Sequence, residues 1–172
     1  MINSLMKYFL AFILYLFVFQ VLIIDNINFG FYINPIVYIL FLLILPIEIS
    51  GWLLLLLGFI IGLIFDMFQN TPGIHASASV FLGFIRPFVL KSIAPRDGYD
   101  TGSLPIPSYL GFGWFFKYTV VCVVFHHFFL FTIETFSLSQ MWTVIIKTVL
   151  SSAFSIFFIM VIRLFGAINK KK

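Results

Sequence analysis

The chain has 172 residues, of which 62% are hydrophobic, 20% aromatic and only 9% charged, with a formal net charge of +4. Soluble domains carry about a quarter charged residues, so the composition excludes a water-soluble globule, and the length is filled by about six membrane spans of roughly 20 residues each. A lone cysteine, Cys122, excludes a disulfide framework or a metal-ligand spacing, and the basic tail Lys170, Lys171 and Lys172 reads as an anchor to anionic lipid rather than a nucleic-acid surface.

Six apolar segments follow one another, each closed by polar, proline or glycine residues. They predict an all-α integral membrane protein, a single domain over residues 1–172. The first, 8–24, carries no charge and runs into Asp25 and Asn26 without a small-residue cleavage site, so it reads as a retained span rather than a signal peptide. The second, 31–47, has Asn34-Pro35 near its start and Pro46 near its end, which predicts a short regular helix. A turn at Glu48, Ser50 and Gly51 leads to the third, 52–68, and the QNTPG turn leads to the fourth, 74–93. A Pro/Gly-rich loop, 94–113, then precedes a closing hairpin of spans 114–133 and 141–165.

Lysine and arginine accumulate on the cytoplasmic side of membrane proteins. Lys7, Lys91, Arg96, Lys117, Arg163 and the tail share one side, while the loops near Asp25, Gln69 and Glu134 hold no basic residue. This predicts N-in, C-in topology, with Lys147 as the exception, a snorkelling side chain about two turns into the last helix.

Within the spans, Gly58, Gly62 and Asp66 recur every four residues and share one helical face. Small residues at this spacing let helix backbones approach closely, and Ala76, Ser79 and Gly83 form a matching stripe on the next helix. Pro87 lacks an N–H, which predicts a kink and a freed carbonyl at Gly83. Asp66, His126, His127, Glu134 and Lys147, with His75, fall at similar depth and predict a polar cluster in the outer half of the bundle. Asp66 is expected to accept backbone N–H groups of the TPGIH turn, where the next helix begins with partial positive charge, and His75 to donate to it. Arg86 lies deeper and is expected to snorkel to phosphates or to satisfy carbonyls freed by Pro87.

The cluster lacks the His-Glu-x-x-His spacing of a metallohydrolase and a serine on the outer half of its fifth helix, so no enzyme, cofactor or metal site is read from it. A proton or solute pathway is the competing functional reading, against satisfied pairs that fix helix register. The stripe Thr143, Lys147, Ser151 and Ser155 repeats every four residues on the terminal helix and is read as a helix contact, with Lys147, Ser151 and Ser155 as the candidate face for a partner span. The loop, with Pro95, Pro105, Pro107, Gly98 and Gly102, is expected to lie extended, and Pro105 and Pro107 suit contact with a cytoplasmic partner.

The order of six short spans, Gly-x-x-x-Asp closing the third helix, a turn with Gly73 and a small-residue-rich fourth helix resembles the rod shape-determining protein MreD family over nearly the whole chain. DMFQNTPGIHA, followed by RPFVL and PRDGY, is similar to one branch of that family. The positions matching the family motif are Gly62, Asp66 and Gly73; Arg86, Pro87, Pro95, Arg96 and Asp97 match the branch alone. The resemblance implies a non-enzymatic scaffold in the bacterial inner membrane, acting in peptidoglycan synthesis and cell shape. Its partners would be an MreC-like single-span protein and, through it, an MreB-like actin, a RodA-like glycosyltransferase and a penicillin-binding transpeptidase. The family fold is similar to the six-helix substrate-binding subunits of energy-coupling-factor transporters, which makes a small-molecule-binding transport component the alternative.

Overall fold

A computed structural model describes residues 14–168, with side chains up to residue 164; Lys7 and the tail lysines lie outside the described residues. All regular structure among the described residues is helical. Helix α1 spans Leu14–Ile24 and closes in a π-helical turn over Phe19–Ile24. A five-residue helix α2, Leu40–Ile44, is followed by α3, Gly51–Gln69, and α4, Ile74–Ser92. A single turn, α5, Pro107–Leu110, precedes α6, Phe112–Thr135, and α7, Met141–Ile168. Four helices, α3, α4, α6 and α7, are long and apolar enough to cross a membrane, which is compatible with a multi-pass membrane protein.

The end of the bundle where α3 finishes and α4 begins is called the upper end. Helices α3 and α4 pack most extensively, α4 and α7 each lie against α6, and the outward faces carry large apolar side chains such as Trp52, Phe59, Phe84, Phe88, Phe125 and Phe157. Lipid is the natural solvent for such a surface.

The second segment departs from a regular span. Its only helix is α2, and residues 33–37 have no regular structure, yet Ile36 to Leu43 are almost wholly buried. Both prolines explain the breaks: a residue before proline is pushed out of the helical region, and Leu45, before Pro46, sits at ψ 150°. The segment nevertheless travels the length of the bundle. Ile33, Asn34 and Pro35 near its start line one cavity with Gln69 at the end of α3, and the segment returns to Gly51 at the start of α3, a helix of 19 residues and so about 28 Å long.

The loop 94–113 is not extended. Gly98 and Ser103 close turns onto the carbonyls of Pro95 and Asp100, the Tyr99 hydroxyl donates to Leu90, and Trp114 Nε1 donates to Ile93. Ser103, Pro105, Ile106 and Pro107 are buried. Pro105 and Pro107 therefore pack within the chain, because apolar rings gain from burial and Pro107 suits the first turn of α5. Arg96, Asp97 and Asp100 remain exposed.

Candidate functional site

Irregular backbone at membrane depth is tolerated only where its N–H and C=O groups find partners inside the protein. The intramembrane polar residues supply those partners. Along the descending second segment, Asn34 N–H donates to Ser151 Oγ at 2.9 Å, and Ile36 N–H donates to Ser155 Oγ at 2.7 Å. Val37 N–H donates to Gln20 Oε1 at 2.7 Å, while Gln20 Nε2 donates to the Pro35 carbonyl at 3.0 Å. A single amide of α1 thus satisfies both directions of the chain.

Lower down, Arg86 is fully buried. Its Nε donates to the Tyr118 hydroxyl at 2.7 Å, one terminal nitrogen donates to the Leu45 carbonyl, and weaker contacts reach Leu43 and Pro46 at 3.4–3.5 Å. Tyr118 in turn donates to the Leu43 carbonyl at 3.1 Å. The carbonyls at the end of α2 are left without intrahelical donors, and the guanidinium fork meets several at once. Arg86 therefore neither snorkels to phosphates nor serves carbonyls freed by Pro87. Pro87 itself faces outward, and α4 continues through it to Ser92.

At the upper join, Asp66 is buried and both its oxygens are occupied. His75 N–H and Ala76 N–H each donate to it at 2.9 Å, and Thr71 Oγ1 adds a bond at 2.8 Å. Gly73, the N-cap residue just before α4, has no side chain to cap the helix, so Asp66 provides from α3 what a capping side chain would. The turn requires left-handed backbone at Asn70, φ 54°, and Gly73, φ 82°. His75 meets the carboxylate through its backbone; its ring Nδ1 instead lies 3.1 Å from the Tyr38 hydroxyl.

Close approach of α3 and α4 makes this geometry reachable. A Cβ on Gly62 would lie 2.4 Å from Ala76 Cα and 2.5 Å from the His75 carbonyl oxygen, and one on Gly58 would lie 2.8 Å from the Ser79 carbonyl oxygen. Gly83 is looser, with its nearest neighbours at 3.4–3.5 Å.

Between these two sites, Tyr38 stacks on Phe65 at 4.0 Å and places its hydroxyl 3.2 Å from Ser79 Oγ and 3.4 Å from His126 Nε2. His126 Nδ1 has no partner among the described residues. His127 donates from Nδ1 to the Val123 carbonyl at 2.9 Å and accepts at Nε2 from Ser155 Oγ at 3.0 Å. Ser155 Oγ thus receives one N–H and gives its only O–H. Glu134 and Lys147 stand apart as an ion pair at 3.9 Å, with the lysine over the Phe31 and Phe131 rings.

The predicted polar cluster is therefore several separate arrangements. Ser151 and Ser155 are fully buried and bonded to residues 32–36, so the face offered as a partner surface is internal. Gln20, Tyr38 and Tyr118 escaped the sequence reading. The signal for Gln20 was an amide alone in an apolar span, and for Tyr38 a tyrosine in mid-span rather than at the membrane interface where that residue concentrates; Tyr118, one turn into its span, carried none.

No family model, curated protein or solved structure matches the chain.

Proposed function

We propose that the chain is a non-enzymatic scaffold subunit of the bacterial inner membrane, crossing it six times with both termini inside. In this reading it serves the cell-wall elongation machinery by holding an MreC-like bitopic partner and, through it, the MreB-like actin, the RodA-like glycosyltransferase and the penicillin-binding transpeptidase. The observation that supports it is the use made of the two deepest charged groups: Asp66 and Arg86 direct their hydrogen bonds into the chain's own backbone and side chains, so the core is spent on fixing one shape. Lys91, Arg96, Lys117 and Arg163 at the lower end, against upper loops without basic residues, support the orientation. The small-residue stripes of α3, α4 and α7 all face inward, so the partner span rests on large apolar side chains.

The test is detergent co-purification of the tagged chain with identification of what accompanies it. Recovery of wall-elongation subunits supports the scaffold. A cavity of about 390 Å³ at the upper end, lined by Asp25, Asn28, Asn34 and Gln69 among others, favours the second reading, a small-molecule-binding transport component. Recovery of a nucleotide-hydrolysing module or a bound small molecule would support that reading instead.

A further inference from the structure

The polar groups that line the upper-end cavity face an open space and are only partly used. Asp25 receives Gln20 Nε2 on Oδ1 at 2.7 Å and Gln69 Nε2 on Oδ2 at 2.9 Å. A carboxylate offers about four acceptor positions, so roughly half its capacity remains. The ion pair found among the described residues is Lys147–Glu134, which leaves Asp25 without a cationic neighbour. Asn28 spends its Oδ1 on Gly30 N–H, and Asn26 spends its Nδ2 on the carbonyls of Val21 and Leu22. Their remaining amide atoms, and the whole side-chain amide of Asn34, carry no hydrogen bond among the described residues.

A concave site with one uncompensated carboxylate, uncommitted carboxamides and no basic group rejects anions. It suits a small cation that donates several hydrogen bonds. We propose that this cavity binds a primary ammonium group, presented by the headgroup of an ethanolamine lipid. The lipid source follows from the surroundings: Leu22, Ile23 and Ile27 beside the cavity are 64%, 46% and 46% exposed, an apolar strip along which acyl chains lie while the headgroup enters. A quaternary ammonium cannot donate hydrogen bonds and is refused. The proposal is independent of the scaffold reading.

The test uses the full chain in nanodiscs containing equal phosphatidylethanolamine and phosphatidylcholine, with retained lipid counted by native mass spectrometry and soluble ethanolamine as competitor. Phosphatidylethanolamine should be retained up to about fivefold over phosphatidylcholine, the factor that a half-exposed ion pair supplies, and Asp25→Asn should abolish the preference. Competition by millimolar ethanolamine without lipid preference would keep the ammonium site but assign it to a soluble amine, overturning the lipid source. Equal retention of both lipids with no effect of ethanolamine, or a preference that survives Asp25→Asn, would overturn the site itself. Should Asp25→Asn fail to fold, Asn28→Leu with Asn34→Leu fills the cavity and leaves the Gln20–Asp25–Gln69 bonds intact. The preference should be lost there too, and its survival would overturn the proposal.

Discussion

The Ser155 hydroxyl accepts the backbone N–H of Ile36 at 2.7 Å, across 119 residues of chain, and so joins the last helix to the least regular part of the second segment. The same hydroxyl donates to His127 Nε2. Ser155→Ala leaves a buried N–H and an imidazole nitrogen unpaired, and each unsatisfied group costs about 1–3 kcal/mol. Ser152, about one turn before it on the same helix, is buried but has no partner for its hydroxyl among the described residues, so Ser152→Ala should be neutral or slightly stabilising. Unfolding in detergent and denaturant compares the two; equal effects would show that the Ser155 bonds do not hold the segment.

Gly62 and Gly83 give a second matched pair. An added Cβ at Gly62 meets backbone atoms at 2.4–2.6 Å, which cannot rotate away as a side chain would. Gly62→Ala should force α3 and α4 apart, cost at least about 1–3 kcal/mol as overpacking does, and weaken the Asp66 contacts to His75 and Ala76. Gly83→Ala, with neighbours at 3.4–3.5 Å, should be accepted nearly without loss. Thermal denaturation of both purified variants decides the point.

Arg86 offers a graded test. Arg86→Met removes the guanidinium donors to the carbonyls of Leu45 and Pro46 and to the Tyr118 hydroxyl, leaving the Leu43 carbonyl only its bond from Tyr118, so the protein should lose several kcal/mol, on the order of 3 or more, as buried polar groups go unpaired. Arg86→Lys keeps a charge and three donors but not the planar fork, so the loss should be partial. If methionine were tolerated better than lysine, the burial of charge rather than its hydrogen bonding would govern this site.

Much of this was visible in the sequence, and the reason differs from residue to residue. Gly58, Gly62 and Asp66 are separated by one helical turn each and followed at once by a short turn, so local periodicity alone placed them against the start of α4. Pro46 and Asn34-Pro35 announced a short second helix because proline acts on its immediate neighbours. The destination of Arg86 was not legible, since its acceptors lie 40 to 43 residues away on carbonyls that carry no sequence signature. Ser151 and Ser155 misled for the same reason: a small polar stripe looks alike whether it meets a partner helix or the chain's own unwound backbone. Pro105 and Pro107 read as extended chain, but burial of the apolar residues around them folded the loop back.

Asp25 supplies a pH prediction. Burial pushes its carboxyl up from the ordinary value, with the Gln20 and Gln69 hydrogen bonds opposing the shift. The folded state then holds the proton more tightly than the unfolded one, so stability should rise as pH falls from neutral through the raised value and level off below the unfolded value. Asp25→Asn should remove that rise. Melting temperatures from pH 7 to pH 3.5 for both proteins test it, and a wild-type chain that loses its contribution on acidification would reverse the sign of the account.

The central claim is that the charged and polar groups inside the bundle serve its architecture, and that function resides in the shape they hold. The most direct measurement is the amount of partner recovered per molecule of chain after detergent extraction, compared for wild type, Asp66→Asn, Asp66→Ala, Arg86→Lys and Ser155→Ala. The account predicts that these variants accumulate to different levels, with Asp66→Ala lower than Asp66→Asn, while partner per accumulated molecule stays constant. A variant such as Asp66→Ala that accumulates fully but recovers no partner would contradict it, and would give that carboxylate a direct part in binding or proton transfer.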